Sequence, residues 1–398
     1  MAIVHLGIDF GTEFIKAAYA HPETGDKYSI RFPETEDGYL PSVISPGVSQ
    51  DSLNLCKDAR SGREMRFSKV LAASEVDPRF VHDKYRQHLK EFGDIRPPVA
   101  AAAIIAYAVR LAERIVRTEL RDQYRPDELH FIPHVCIPVD YLENNPVKTL
   151  FEKILALAER FLEEEGNALD EGVFGTEALQ EGGRALESMK YSPENNRIQY
   201  RPEIVAELQS YIHSLEKQRG IPHAVYDIGG GTTEITIFTI DPNNLVLILE
   251  TKIIPQGTVL TGNAAANFNQ VFDRTQNVWA IAQARHRHDY QTFWRNVRVF
   301  LSGGGSLIPG IDRPFSRTWD DVTGLYNRRY RCELQFPQPK DFLGENFNRM
   351  CVAYGLAMDT EPDVLFPNEA ETAAKRRPAK RYPLNYFNPP PLPGNPWL

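Results

Sequence analysis

Two aspartates stand where a fold can turn a carboxylate into chemistry. Asp9 closes a largely apolar run from Ile3 to Ile8, with Gly11, Thr12 and Glu13 following. Asp227 closes another, Ala224 to Tyr226, and precedes Gly229, Gly230, Gly231, Thr232 and Thr233. Each stretch reads as strand, tight glycine turn, second strand. Three glycines in a row weaken a strand, so they are not there for pairing. They suit a turn whose N–H groups come close to an anion, and phosphate is the usual guest of such a nest. A third apolar run, Val297 to Leu301, enters Gly303, Gly304, Gly305 and Ser306, where backbone can again approach a ligand.

The matched pair of aspartates lies 218 positions apart, which suggests two similar lobes rather than a solenoid. Together the three stretches resemble the phosphate-1, phosphate-2 and adenosine motifs of the actin-like ATPase superfamily. That superfamily includes actin, the 70-kDa heat-shock chaperones and sugar kinases. The resemblance spans residues 3 to 366 and is strongest to the nucleotide-binding domain of the chaperones. It implies an α/β fold of two ribonuclease-H-like lobes, each a mixed five-stranded sheet flanked by helices, with a nucleotide cleft between them. It also implies ATP or ADP with Mg²⁺ as ligands and conversion of ATP to ADP and phosphate.

In that reading Gly11, Thr12, Glu13, Gly229, Gly230, Gly231, Thr232 and Thr233 hold phosphates. Gly257, Gly303, Gly304, Gly305 and Ser306 let backbone approach the nucleotide. Asp9 and Asp227 would lie about 4 Å apart and repel by roughly 4 kcal/mol at an effective dielectric of about 20. A Mg²⁺ ion held between them through waters converts that repulsion into binding. Glu177, in the stretch Phe174 to Leu186, aligns with the glutamate that orients or deprotonates water in relatives, with Glu181 second. Relatives also carry a catalytic lysine in an outer subdomain, for which Lys57 and Lys69 are the candidates. Glu13 departs from the hydroxyl residue many chaperones have there. The adenine-contacting signature of the chaperones is absent; Arg285 or Arg287 is the replacement, and His286 and His288 do not share a helix face for a metal.

These residues need positioning elements. Residues 1–222 are expected as the first lobe, with a small outer subdomain at about 33–98. A helix runs from Pro98 to Glu119, with Ile104, Ala108, Leu111 and Ile115 on one face. A strand from Leu129 to Val139 and a further helix follow. Residues 187–220, which are polar, read as an extra helix or helical pair between the lobes that offers a family-specific surface. Residues 223–346 form the second lobe, its outer subdomain reduced to about 266–295. A closing helix at 347–366 returns to the first lobe. Residues 367–398, basic and then proline-rich, suit polyproline II or a partner-docking strap.

A net charge of −8 argues against dominant nucleic-acid binding. No apolar run reaches membrane-spanning length, and nothing at the N-terminus reads as a signal peptide. Four scattered cysteines fit a reducing, cytoplasmic setting. The function expected is an ATP-driven conformational switch read by a partner protein, through the tail or through residues 187–220. The alternatives are a filament-forming actin-like protein and an adaptor that binds nucleotide without turnover. No sugar-recognition signature supports a small-molecule kinase, and the chaperones' peptide-binding domain has no counterpart, so peptide refolding is not expected.

Overall fold

The computed structural model describes residues 1–366 except 34, 48, 50, 58–63, 87–91, 93–94, 138–144, 215, 263–264, 286–292, 295–296, 316–330, 334–335 and 345. The tail at 367–398, and with it the expected docking strap, lies outside the described residues, as do His286, Arg287 and His288.

The chain is a mixed α/β structure built on two large sheets. The first contains β1 (Ala2–Phe10), β2 (Phe14–Ala20), β3 (Lys27–Ile30), β4 (Leu129–Ile137) and β5 (Gln199–Pro202). Its order is β3-β2-β1-β4-β5, with β1, β2 and β3 antiparallel in turn and β4 and β5 parallel to β1. The second contains β6 (Pro222–Ile228), β7 (Thr233–Ile240), β8 (Val246–Ile254), β9 (Arg298–Ser302) and β10 (Arg331–Glu333). Its order, β8-β7-β6-β9-β10, repeats the first strand for strand, with the same directions. Short strands extend each: Leu40–Pro41 and Phe342–Leu343 on the first, Val364–Leu365 on the second.

Period-two alternation decides which face each strand buries. Along β1, Val4, Leu6, Ile8 and Phe10 enter one core with α1 (Pro97–Glu119) and α2 (Asn145–Glu164). Each such burial stabilises by about 1.5–3 kcal/mol. That parity leaves Asp9 on the opposite face. Along β6, Ala224, Tyr226 and Ile228 join a core with Trp279 of α5 (Asn269–Arg285), whereas Val225 faces the other way. Between the sheets lie α4 (Glu203–His213) and α6 (Phe347–Leu356), packed on each other. Their apolar side chains share one core with Ala18 and Cys136 of the first sheet and Val225, Phe238 and Phe300 of the second.

Several expectations need correction. Residues 187–220 supply β5 and a single helix, α4, which lies between the sheets but is buried rather than a separate surface, because Ile204, Val205, Leu208, Tyr211 and Ile212 need a core on both sides. Residues 266–295 are mainly α5, which lies flat on β7 and β8 rather than forming an outer subdomain. After α6 the chain does not stay with the first sheet; Val364 pairs with Val246 at the edge of the second. α1 is buried on all sides over Val99–Val109, not on one stripe, because its small alanines let neighbours approach all round.

A small four-stranded sheet caps the first half. It is made of Met65–Arg66, Val43–Pro46, Ser52–Leu55 and Val173–Gly175. The helix Ser68–Ser74 follows its first-listed strand in the chain and carries Lys69.

Candidate functional site

Asp9 lies 2% exposed near the end of β1, directly opposite Lys16 on β2. Directly opposed residues of an antiparallel pair have side chains close enough to meet, and Lys16 Nζ donates to Asp9 Oδ2. On the other side β4 runs parallel, and its Cys136 thiol donates to Asp9 Oδ1 at 3.5 Å. Burial works against the Lys16 ammonium, yet the Asp9 carboxylate, with Asp227 behind it, holds its pKa above the usual lysine value.

Asp227 occupies the same place in the second sheet. It sits at the end of β6, opposite Glu234 on β7 and beside Ser302 on β9. The residue seven positions on is thus a lysine in the first sheet and a glutamate in the second. Gly303 makes room for Asp227: its φ is +75°, and a Cβ there would stand 2.1 Å from Asp227 Oδ1. Burial, reinforced by the charge of Glu203, raises the Asp227 pKa; Lys16 and Lys69 pull the other way.

Glu203 opens α4 directly after β5. The parallel registers Ile8 with Val135 and Pro202 with Ile137 bring the end of β5 level with Asp9. Carboxylate oxygens of Asp9 and Glu203 and the Cys136 sulfur lie within 4.8 Å of one another. Lys69 Nζ donates to Glu203 Oε2 at 3.1 Å. One turn further, Glu207 is 1% exposed; burial, with the charge of Asp227 next, lifts its pKa well above the carboxylate range. Burial likewise raises the Cys136 thiol far above its usual value, so it stays protonated.

The glycine turns of the two sheets meet over this centre. A Cβ at Gly231 would stand 2.8 Å from Thr12 Cγ2, so the first and second turns abut. Gly229 and Gly230 carbonyls accept from the N–H groups of Thr258 (3.0 Å) and Val259 (2.9 Å), which seats the Gly257 step on the triple-glycine turn. Thr233 Oγ1 donates to the Gln256 carbonyl, and Ser306 Oγ to the Gly303 carbonyl. Two contacts reach across from the small subdomain: Lys84 Nζ donates to the Val259 carbonyl, and the Tyr85 hydroxyl to the Gly231 carbonyl at 3.2 Å.

The structure therefore brings Asp9, Asp227, Thr12, Glu13, the Gly229–Thr233 turn, Gly257 and the Gly303–Ser306 turn to one place. It does not bring Glu177 there. Val173–Gly175 pairs with Ser52–Leu55 at the edge of the small sheet, and Glu177 stands exposed on the first turn of the following helix, α3 (Thr176–Leu186), packed on α1 and α2. Glu181 is exposed on the same helix. Lys57 is exposed and bonds the Glu171 carbonyl, away from the centre, whereas Lys69 is buried in it. Sequence reasoning missed Lys16 and Glu203. Lys16 carried a signal: in both glycine hairpins the residue seven after the aspartate is charged. Glu203 carried one too, a short strand ending in glutamate before an apolar helix, but Glu177 carries the same pattern.

No family model matches the chain, and no curated protein matches it significantly. The resemblance to actin-like ATPases thus rests on the motifs and their placement.

Proposed function

We propose that the chain binds an adenine nucleotide with Mg²⁺ between its two sheets and hydrolyses ATP. One observation carries this reading most: Asp9 and Asp227 end equivalent strands of two sheets of the same order, and both act on Lys16. This is the arrangement expected of a two-lobed actin-like cleft.

The residues present fit the ligand. Asp9, Asp227, Glu203 and Glu234 form an acidic surplus over Lys16 and Lys69. An anionic phosphate chain enters such a centre only with a cation. Carboxylate oxygens are the hard donors Mg²⁺ prefers, and the protonated Cys136 does not compete. When bound, Mg²⁺ neutralises phosphate charge and supports in-line displacement. Asp9 and Asp227 hold the ion and its waters. Lys16, already among the carboxylates, faces the phosphates as a fixed positive charge. The abutting turns of Thr12 and Gly229–Thr233 enclose them, and the Gly303–Ser306 turn flanks the nucleoside. Glu203 takes the role first assigned to Glu177: its carboxylate orients the attacking water and accepts its proton, with Lys69 fixing its position.

The bonds from Lys84 and Tyr85 to the second half tie closure to the glycine turn itself. A change at that turn is transmitted to the small subdomain, which is what a partner-read switch requires.

The test is titration of the full chain with MgATP and MgADP, with hydrolysis followed under single turnover. Tight Mg²⁺-dependent binding supports the reading. No binding of any adenine nucleotide removes it.

A further inference from the structure

Glu13 does not point away from the cleft. Its side chain lies against the second glycine turn: a Cβ at Gly230 would stand 2.6 Å from Glu13 Oε2 and 2.7 Å from its Cγ. Thr258 Oγ1 donates to the same oxygen at 3.4 Å. Burial raises the Glu13 pKa, and the Thr258 bond and the positive charges of Arg66, Arg349 and Lys84 act against that rise. Arg349 is held over an aromatic ring. Its guanidinium lies 4.1 Å from the centroid of the Tyr39 ring, and its Nε is buried without a hydrogen-bond partner among the described residues. A carboxyl group is thus already installed between the two turns, accepting from a threonine hydroxyl and facing positive charge.

We propose that Glu13 occupies the place of a terminal phosphate and sets the cleft to prefer a nucleoside diphosphate over a triphosphate; this rests on the nucleotide reading above. The carboxylate supplies the negative charge that Gly230, Thr258 and the surrounding cations are arranged to meet. A diphosphate leaves Glu13 in place. A triphosphate meets a like charge, so Glu13 must swing out through the solvent-exposed mouth where it stands. Binding the triphosphate costs the contacts of Glu13 with Thr258 and the cations; binding the diphosphate does not.

The experiment is calorimetric titration of the full chain with MgADP and with the Mg²⁺ complex of the β,γ-imido analogue of ATP. It is done for wild type, Glu13→Ser and the isosteric Glu13→Gln. Wild type is expected to favour the diphosphate by at least about tenfold, the scale of a modest charge–charge interaction. Both variants are expected to bring the two affinities within about threefold of each other, chiefly by tightening the triphosphate. Equal affinities in wild type, or a ratio that neither variant moves, overturns the role of Glu13 while the nucleotide site stands. Failure of wild type and variants alike to bind either nucleotide overturns the nucleotide reading and this inference with it.

Discussion

Lys69 Nζ and Glu203 Oε2 lie 3.1 Å apart although 134 residues separate them in the chain. The lysine comes from the small subdomain and the glutamate from the first turn of α4. Their pairing closes the charge constellation around Asp9. Glu203→Gln is therefore expected to lower single-turnover ATP hydrolysis by about 10²–10⁴-fold, the usual range for a general base, with MgATP affinity kept. Glu177→Gln should leave the rate within about twofold. The reverse pattern would return the role to Glu177.

Lys16 and Asp9 form a pair whose side chains are 13% and 3% exposed. Removing one member leaves a buried charge uncompensated, so Lys16→Met should destabilise the fold by about 3–5 kcal/mol in urea unfolding. Adding Asp9→Asn to that variant should recover most of the loss. A double variant as unstable as the single one would show that Lys16 acts through packing alone.

Gly303→Ala and Gly304→Ala make a contrasting pair. At Gly303 a side chain meets Asp227 Oδ1 in a backbone conformation with φ +75°; at Gly304 the nearest atom beyond its neighbours is Arg349 Nε at 4.0 Å. The first change should cost about 1–3 kcal/mol and weaken nucleotide binding by displacing Asp227. The second should change stability by under about 0.5 kcal/mol. Comparable effects of both on melting and on affinity would count against the placement of Asp227.

His223 is fully buried on β6, and its Nε2 lies 2.9 Å from the Tyr211 hydroxyl. Burial, with the charge of Arg298 next, lowers its pKa to about 3. A histidine whose folded pKa is depressed contributes stability that is complete above the unfolded value of about 6.5. That contribution fades as pH falls from there toward 3. While only the unfolded state gains the proton, the loss is about 1.4 kcal/mol per pH unit. Unfolding free energies at pH 7, 6 and 5 should fall with this trend, and His223→Gln should flatten it. An unchanged slope in the variant would locate the titration elsewhere, His134 being the next buried histidine with a pKa lowered to about 3.

Much of the fold was legible because it is written in local pattern. β1, β2 and β3, then β6, β7 and β8, show as alternating or continuous apolar runs joined by short turns, and the glycine hairpins mark their own ends. β5 and β10 did not show. Gln199–Pro202 is a short polar run whose strand character comes from pairing with β4, not from its own residues. The helix α4 is expected between the lobes but with an exposed surface, because a run of 11 residues says nothing about how many sides will be covered.

The sequence by itself determined the two aspartates, their glycine turns and the parity that puts Asp9 opposite the Leu6–Ile8 face. Those depend on neighbours a few positions apart, where strand periodicity and turn chemistry act. It offered Glu177 and Glu181 and passed over Glu203, and it left Lys57 and Lys69 both open, since local pattern does not say where a residue ends up. Tertiary structure placed them, through two pairings distant in the chain: Val173–Gly175 with Ser52–Leu55 carries Glu177 outward, and β5 with β4 carries Glu203 to Asp9. Which strand edge a short segment joins depends on the edges left open by the rest of the fold, and no local stretch of residues encodes that.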